Sequence, residues 1–266
     1  MLADLAFSDL LLVAPVAASH PARRRDPDAL TRMVVLGQVR PNNRPTLVEQ
    51  DLVGETIVPG EWVFSESAFH NGRIETSGFV HGVLGEAVPV ENVPVRFGPS
   101  VIAVLLRVSA VPVRGSASMY EQTYLQVYER LAAMVAESAF PFRGEDVATE
   151  ESPRVVDGVV VVDADGRVEF ASPNAINAFH RMGVYSPPEG RRFTDLGVEE
   201  SAVEWALATG RPVVEEVERR PDVIVLVHCI PLLSHGIGTG AMILLRDVTD
   251  VRRLDRLLLS KDAAIR

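Results

Sequence analysis

The chain has 266 residues, 47% of them apolar, and a formal net charge of −10 at pH 7. That length suits two domains of ordinary size, and that apolar fraction lets each bury a core, which excludes wholesale disorder and a disulfide scaffold. Both halves are acidic, which argues against a broad electrostatic nucleic-acid surface.

The local basic run Arg23, Arg24 and Arg25 lies in a Pro- and Ala-rich stretch and reads as a solvated loop. The single cysteine, Cys229, has no partner for an internal disulfide, which fits a reducing compartment. The uncharged run from Leu10 to Ser19 is too short to span a bilayer and contains Pro15. Asp4 and Asp9 precede it, unlike the basic start of a signal peptide. A soluble cytoplasmic protein is expected. Of the 26 basic residues, 25 are Arg, and Lys261 is the lone Lys.

In chain order, Leu10 to Val16 and Met33 to Val39 read as short strands. Turn chemistry follows from Arg40 to Pro45. Val93 to Phe97 and Val101 to Val108, separated by Gly98, Pro99 and Ser100, predict a hairpin. Ser118 and Glu121 form a capping-box signal that opens a helix. Tyr124, Tyr128, Leu131 and Val135 give that helix one apolar face, and it ends before Phe140. Residues 143–154 are charged and poor in apolar side chains, the composition of a linker.

Beyond the linker, Gly158 to Val162 and Arg167 to Ala171 predict two strands joined by the Asp165-Gly166 turn. Ser172 caps a helix with Pro173 at its first position, Ile176, Phe179 and Met182 on its apolar face, and Gly183 at its end. Glu199 to Thr209 predicts a second short helix. Three further strands are expected over Pro212 to Val217, Val223 to Leu233 and Gly240 to Leu245. This order is that of an antiparallel sheet with helices on one face. From Val251 onward, Val251, Leu254, Leu258, Lys261 and Ile265 recur at heptad spacing, with Asp247 and Thr249 as competent caps before them. The pattern runs to Arg266 without a stop signal. A coiled-coil helix that continues in a longer chain is the expectation, with a terminal helix packed on its own domain as the alternative.

These residues resemble a known family. Gly158-Val-Val-Val-Val-Asp163, Asp165-Gly166, the stretch Val168 to Ala175 and Arg246-Asp-Val-Thr249 look like a PAS domain, whose Asp-x-Thr turn leads into a signalling helix. The first segment is similar, on weaker motifs, to a GAF domain. Leu2 to Leu5, Arg40 to Asn42, Pro94 to Gly98, Phe179 to Gly183 and Leu257 to Arg266 extend the resemblance along the chain, to the sensor half of PdtaS-like actinobacterial cytosolic histidine kinases. The resemblance implies an α+β chain with two tandem sensor domains, each an antiparallel sheet with flanking helices. Their expected bounds are GAF-like over 1–142, a linker over 143–154, PAS over 155–247 and a signalling helix over 248–266. It implies a homodimer through that helix, no membrane and no direct nucleic-acid contact. In the full-length protein it implies ATP and Mg, a phosphoacceptor His beyond this segment, and a response regulator of the RNA-binding antiterminator type as partner. The segment itself is expected to be inactive alone, without a cofactor, and the sensed ligand is unspecified because such folds host many ligands or none. Asp247, Thr249, Val251, Leu254, Leu258, Lys261 and Ile265 are the expected transmission residues.

The remaining chemistry-bearing residues point to ordinary roles. None of His20, His70, His81, His180, His228 and His235 lies in a phosphoacceptor helix pattern. His180 sits on a helix from which some PAS domains hold haem, but no second ligand accompanies it. His228 and Cys229 are adjacent on a strand and so face opposite ways, which opposes a shared metal. Gly236 to Gly240 opens no helix, so it reads as a hairpin turn rather than a phosphate loop. Glu199-Glu200 and Glu215-Glu216 are adjacent pairs that do not face each other, hence no acid–base dyad. Asp247 lacks the acidic pair of a receiver site and reads as a cap. The same domains coupled to another output are the competing function, and a metabolic enzyme is disfavoured by the missing motifs.

Overall fold

Alternating apolar runs pair into two separate antiparallel sheets, one in each of two units, Met1–Pro141 and Phe142–Arg266. The computed structural model describes residues 1–16, 32–57, 63–80, 88–110, 118–142, 157–196, 201–220 and 223–265. The arginine run at 23–25, the linker expected at 143–154, Glu199, Glu200, His20 and His81 lie outside them.

In the first unit, α1 (Leu2–Ala6) and β1 (Asp9–Pro15) are followed by β2 (Met33–Val39) and β3 (Thr56–Ile57). Then come α2 (Val63–Asn71), β4 (Glu75–Val80), β5 (Val88–Phe97), β6 (Ser100–Val108) and α3 (Met119–Ala136). The strands order as β3-β2-β1-β6-β5-β4. Side chains alternate across a strand, so Leu11, Val13, Val35, Val90, Val104 and Leu106 share one face, where Ala68 of α2 completes a core. α3 packs on β5 and α1. Its Tyr128, Leu131 and Val135 are buried as the spacing predicts. The capping box is present, with Ser118 Oγ accepting from Glu121 N and Glu121 accepting from Ser118 N. The Gly98 turn joins β5 to β6, and β5 begins earlier than its apolar run suggests. Asp4 and Asp9, both buried, hold the loop after β2. Asp9 accepts from Thr46 Oγ1 and Leu47 N, each at 2.6 Å, and Asp4 accepts from Asn42 N at 2.7 Å.

The second unit runs β7 (Gly158–Val162), β8 (Val168–Ala171), α4 (Pro173–Met182), α5 (Ser201–Thr209), β9 (Val213–Arg220), β10 (Val223–Ser234), β11 (Ile237–Asp247) and α6 (Thr249–Ile265). Its sheet order is β8-β7-β11-β10-β9, all antiparallel. Ser172 Oγ accepts from Ala175 N, Pro173 opens α4, and Gly183 closes it with φ 90°. Phe179 and Met182 of α4 and Val203 and Ala206 of α5 pack with Val160, Val225, Val227, Cys229 and Ile243 on one face of the sheet. Gly158 allows α4 to sit close, since a Cβ there would lie 2.5 Å from the Ala175 backbone. The turn expected over Gly236 to Gly240 is confined to His235 and Gly236, with Gly238 and Gly240 already paired in β11, and Gly240 (φ 138°) passes so near β7 that a Cβ would meet Val162 O at 2.2 Å.

Candidate signal-output site

The junction of β11 and α6 concentrates the polar contacts that could carry a signal out of the second unit. Asp247 ends β11, and its Oδ1 accepts from Thr249 N at 3.0 Å, satisfying the first amide of α6 from one residue before the N-cap Val248. Its Oδ2 forms an ion pair with Arg181 of α4. Thr249 corrects its reading as a cap. It is the first residue of α6, buried, and its hydroxyl accepts from Ile224 N at 3.0 Å and contacts Ile224 O at 3.4 Å. Val248 N donates to Ile224 O at 2.9 Å. Two successive residues therefore fasten the start of α6 to the start of β10. Val248, Ile224 and Leu226 form a small apolar cluster of their own.

From this fixed origin α6 presents its heptad positions outward. Val251 and Leu254 are each 58% exposed and Leu258 is 53% exposed. Lys261 and Ile265 lie on the same helix, with side chains outside the described set. The opposite side of α6 turns to its own sheet: Arg252 Nε donates to Glu216 Oε1 at 2.6 Å, and Arg256 donates to Glu218 at 3.1 Å. α6 thus contacts its own domain through one side and leaves Val251, Leu254 and Leu258 exposed on the other.

Other candidates fall into supporting places. His228 is buried on the face of β10 away from the main core, its Nδ1 without a partner among the described residues. Burial, and secondarily the Arg246 charge, hold its pKa below the usual histidine value, while Asp157 works the other way. Arg246 and Asp157 pair at 2.7 and 3.0 Å. Cys229 points into the core, and burial pushes its thiol up to about 12. His180 is exposed and stacks near Tyr185 at 5.6 Å. His70 is an exposed residue of α2, and His235 sits in the turn with φ 50°. Among the described residues no cluster of three His, Cys, Asp or Glu side chains could hold a metal.

A second polar cluster lies under α3. Glu91 and Arg107 are cross-strand partners, with Arg107 Nε 3.2 Å from Glu91 Oε2 but outside hydrogen-bond geometry. The Arg107 guanidinium lies 4.9 Å from the Tyr128 ring centre. The Tyr128 hydroxyl is buried and lies outside hydrogen-bond geometry with any described residue, and desolvation, then the Glu91 charge, raise its pKa. Nearer the start of α3, Arg44 pairs with Glu121, whose carboxyl is held below the usual range by the Ser118 backbone first and Arg44 second. Glu216 was read only beside Glu215, and Arg44, Arg181, Glu218, Arg252 and Arg256 escaped the sequence reading, since each works through a partner distant in sequence. The signal that could have found the last three is spacing: arginines four apart on a helix and glutamates two apart on a strand.

Comparison with known proteins gives a consistent picture. Residues 1–128 match the family described as the GAF domain of histidine kinase PdtaS, and residues 153–253 match the PAS fold. The chain is 37% identical over its whole length to the sensor histidine kinase PdtaS of Mycolicibacterium smegmatis and 35% identical to that of Mycobacterium tuberculosis. It spans about half of those curated relatives, 54% in each case. A solved structure described as the sensor region of a sensor histidine kinase is similar at a TM-score of 0.75 and 32% identity, covering 94% of this chain and 88% of that one. No helix among the described residues is long and apolar enough to cross a membrane.

Proposed function

The chain belongs to the PdtaS family of sensor histidine kinases, as its GAF–PAS sensor region, and from that premise we propose that α6 is the output element through which it governs phosphorylation. The observation that carries this reading is the outward heptad seam of a helix whose origin is fastened to the PAS sheet. An exposed apolar stripe of that period suits a parallel partner helix from a second copy, which makes a homodimer the assembly. Small changes in a packed two-state interface are what convert local shifts into switching.

In this reading the full gene product binds ATP and Mg, transfers the γ-phosphoryl group to a histidine beyond residue 266, and releases ADP. The phosphoryl group then passes to an aspartate of a response regulator, of the RNA-binding antiterminator type. RNA contact belongs to that regulator, in keeping with the acidity of this segment. Residues 1–142 form the GAF sensor, 155–247 the PAS sensor and 248–266 the output helix, with Asp247, Thr249, Val251, Leu254, Leu258, Lys261 and Ile265 as transmission residues. The protein works in the cytoplasm.

The test is incubation of the full gene product with labelled ATP and Mg. Acid-labile, base-stable label on the protein, absent from residues 1–266 alone, is the expected result. Absence of label from the full product would overturn the kinase reading and favour the same sensor domains coupled to another output.

A further inference from the structure

We propose that Arg252 and Arg256 on the back of α6, paired with Glu216 and Glu218 on β9, form an ionic strap that sets the rotational position of the exposed α6 seam. The proposal rests on the reading of α6 as the output helix and adds the element that controls it. Its geometry is commensurate on both sides. Residues four apart on a helix lie on one face, about 6 Å apart along the axis. Residues two apart on a strand lie on one face, about 6.6 Å apart. Arg252 meets Glu216 and Arg256 meets Glu218, so the two pairs follow the same order along helix and strand.

The strap also has the right angular position. At 3.6 residues per turn, the two arginines lie roughly 150° around α6 from the mean direction of Val251, Leu254 and Leu258. Tying the arginines to the sheet therefore turns the seam outward, as its exposure shows. Glu216 and Glu218 stand opposite Leu226 and Ile224 of β10, on the sheet face that carries the Val248 cluster and not the main core. β9 is the edge strand of its sheet, held by β10 on one side only. Displacement of β9 is thus less constrained than that of a central strand, and it would carry the two glutamates with it.

The strength of the strap suits a switch. Its four side chains are 32–65% exposed, and exposed ion pairs are individually weak and screened by salt. A contact of that kind biases two helix positions without locking either. Arg252 is further steadied by Asp255, one turn along α6 at 3.5 Å.

The experiment compares three variants of the full gene product: Glu216→Arg with Glu218→Arg, Arg252→Glu with Arg256→Glu, and all four substitutions together. One readout is the distance between spin labels at Val214→Cys on β9 and Arg253→Cys on α6. The other is the basal level of phosphohistidine. Each double reversal is expected to lengthen or broaden the label distance and to move basal phosphorylation about fivefold, the scale of two exposed ion pairs. The fourfold exchange restores both readouts, and molar salt reproduces the reversal in the wild-type protein. Unchanged distances in the reversals, or failure of the exchange to restore them, would overturn the strap. If no phosphohistidine forms in any protein, the kinase reading fails while the distance measurement still decides the strap.

Discussion

Replacing Thr249 by Val isolates the fastening of α6 to the sheet, because the change is nearly isosteric and removes only the hydroxyl. In the native protein that hydroxyl accepts the Ile224 amide at 3.0 Å, and both residues are buried, at 4% and 5% exposure. Val leaves the Ile224 N–H without an acceptor, and an orphaned buried donor costs about 1–3 kcal/mol. For a unit of this size about 2 kcal/mol lowers Tm by roughly 6–10 °C. Thr249→Ser keeps the hydroxyl and loses one methyl, so it is expected to cost about 1 kcal/mol or less. Thermal melting followed by circular dichroism measures both variants, and amide exchange at Ile224 reports the bond itself. The expected pattern is a large loss with fast Ile224 exchange in Thr249→Val and near-native behaviour in Thr249→Ser. A Tm within about 1 °C of wild type, with Ile224 still protected, would show that the Thr249 hydroxyl does not fasten α6 to the sheet.

Gly158→Ala forces a Cβ to 2.5 Å from the Ala175 backbone, so α4 must shift, and chemical denaturation should show a loss of about 2–3 kcal/mol; a native-like midpoint contradicts the close approach. Burial holds the His228 pKa in the fold below the unfolded value of about 6.5, so as pH falls the unfolded chain takes up its proton first. The unfolded state then binds more protons, so this contribution to stability is present above that pH and is lost below it. Urea midpoints between pH 7.5 and 5 should fall more steeply for wild type than for His228→Leu, and parallel profiles would exclude the effect. Tyr128→Phe removes a buried hydroxyl that makes no well-formed hydrogen bond among the described residues, so stability should hold or rise by about 1 kcal/mol; a loss of that size in a urea titration would show the hydroxyl to be satisfied.

Much of the fold was legible where local chemistry and tertiary packing agree. Ser118 with Glu121, and Ser172 with Pro173, mark helices whose apolar faces then bury as spaced. The hairpin turns at Gly98 and Gly236 lie between strands that alternate or are buried throughout. The elements that escaped, α1, β3, α2 and β4, are short or lack a clear period. α1 has five residues, β3 two, and α2 mixes Phe64, Ser65, Ala68 and His70 without a clean stripe. Such segments are ordered by what they pack against, here the β1–β6 sheet, and isolated pieces of that length carry little intrinsic stability.

The candidate site was half legible. Asp247 was read as a cap from its residue type and position, and the seam from its heptad spacing. The partners of those residues were not, because Thr249 reaches 25 positions back to Ile224 and Arg252 36 positions back to Glu216. Asp4 and Asp9 show the same limit: two acids that looked merely unlike a signal peptide are buried anchors of the loop after β2.

Under the proposed function, heptad phase in α6 carries the signal. Insertion of seven residues after Leu258 preserves that phase, whereas insertion of four rotates the seam by roughly 40° on a straight helix and breaks the repeat. Phosphohistidine formation in the full gene product, measured with labelled ATP, should survive at near wild-type level with seven inserted residues and change several-fold with four. Equal phosphorylation in the two insertions would contradict the claim.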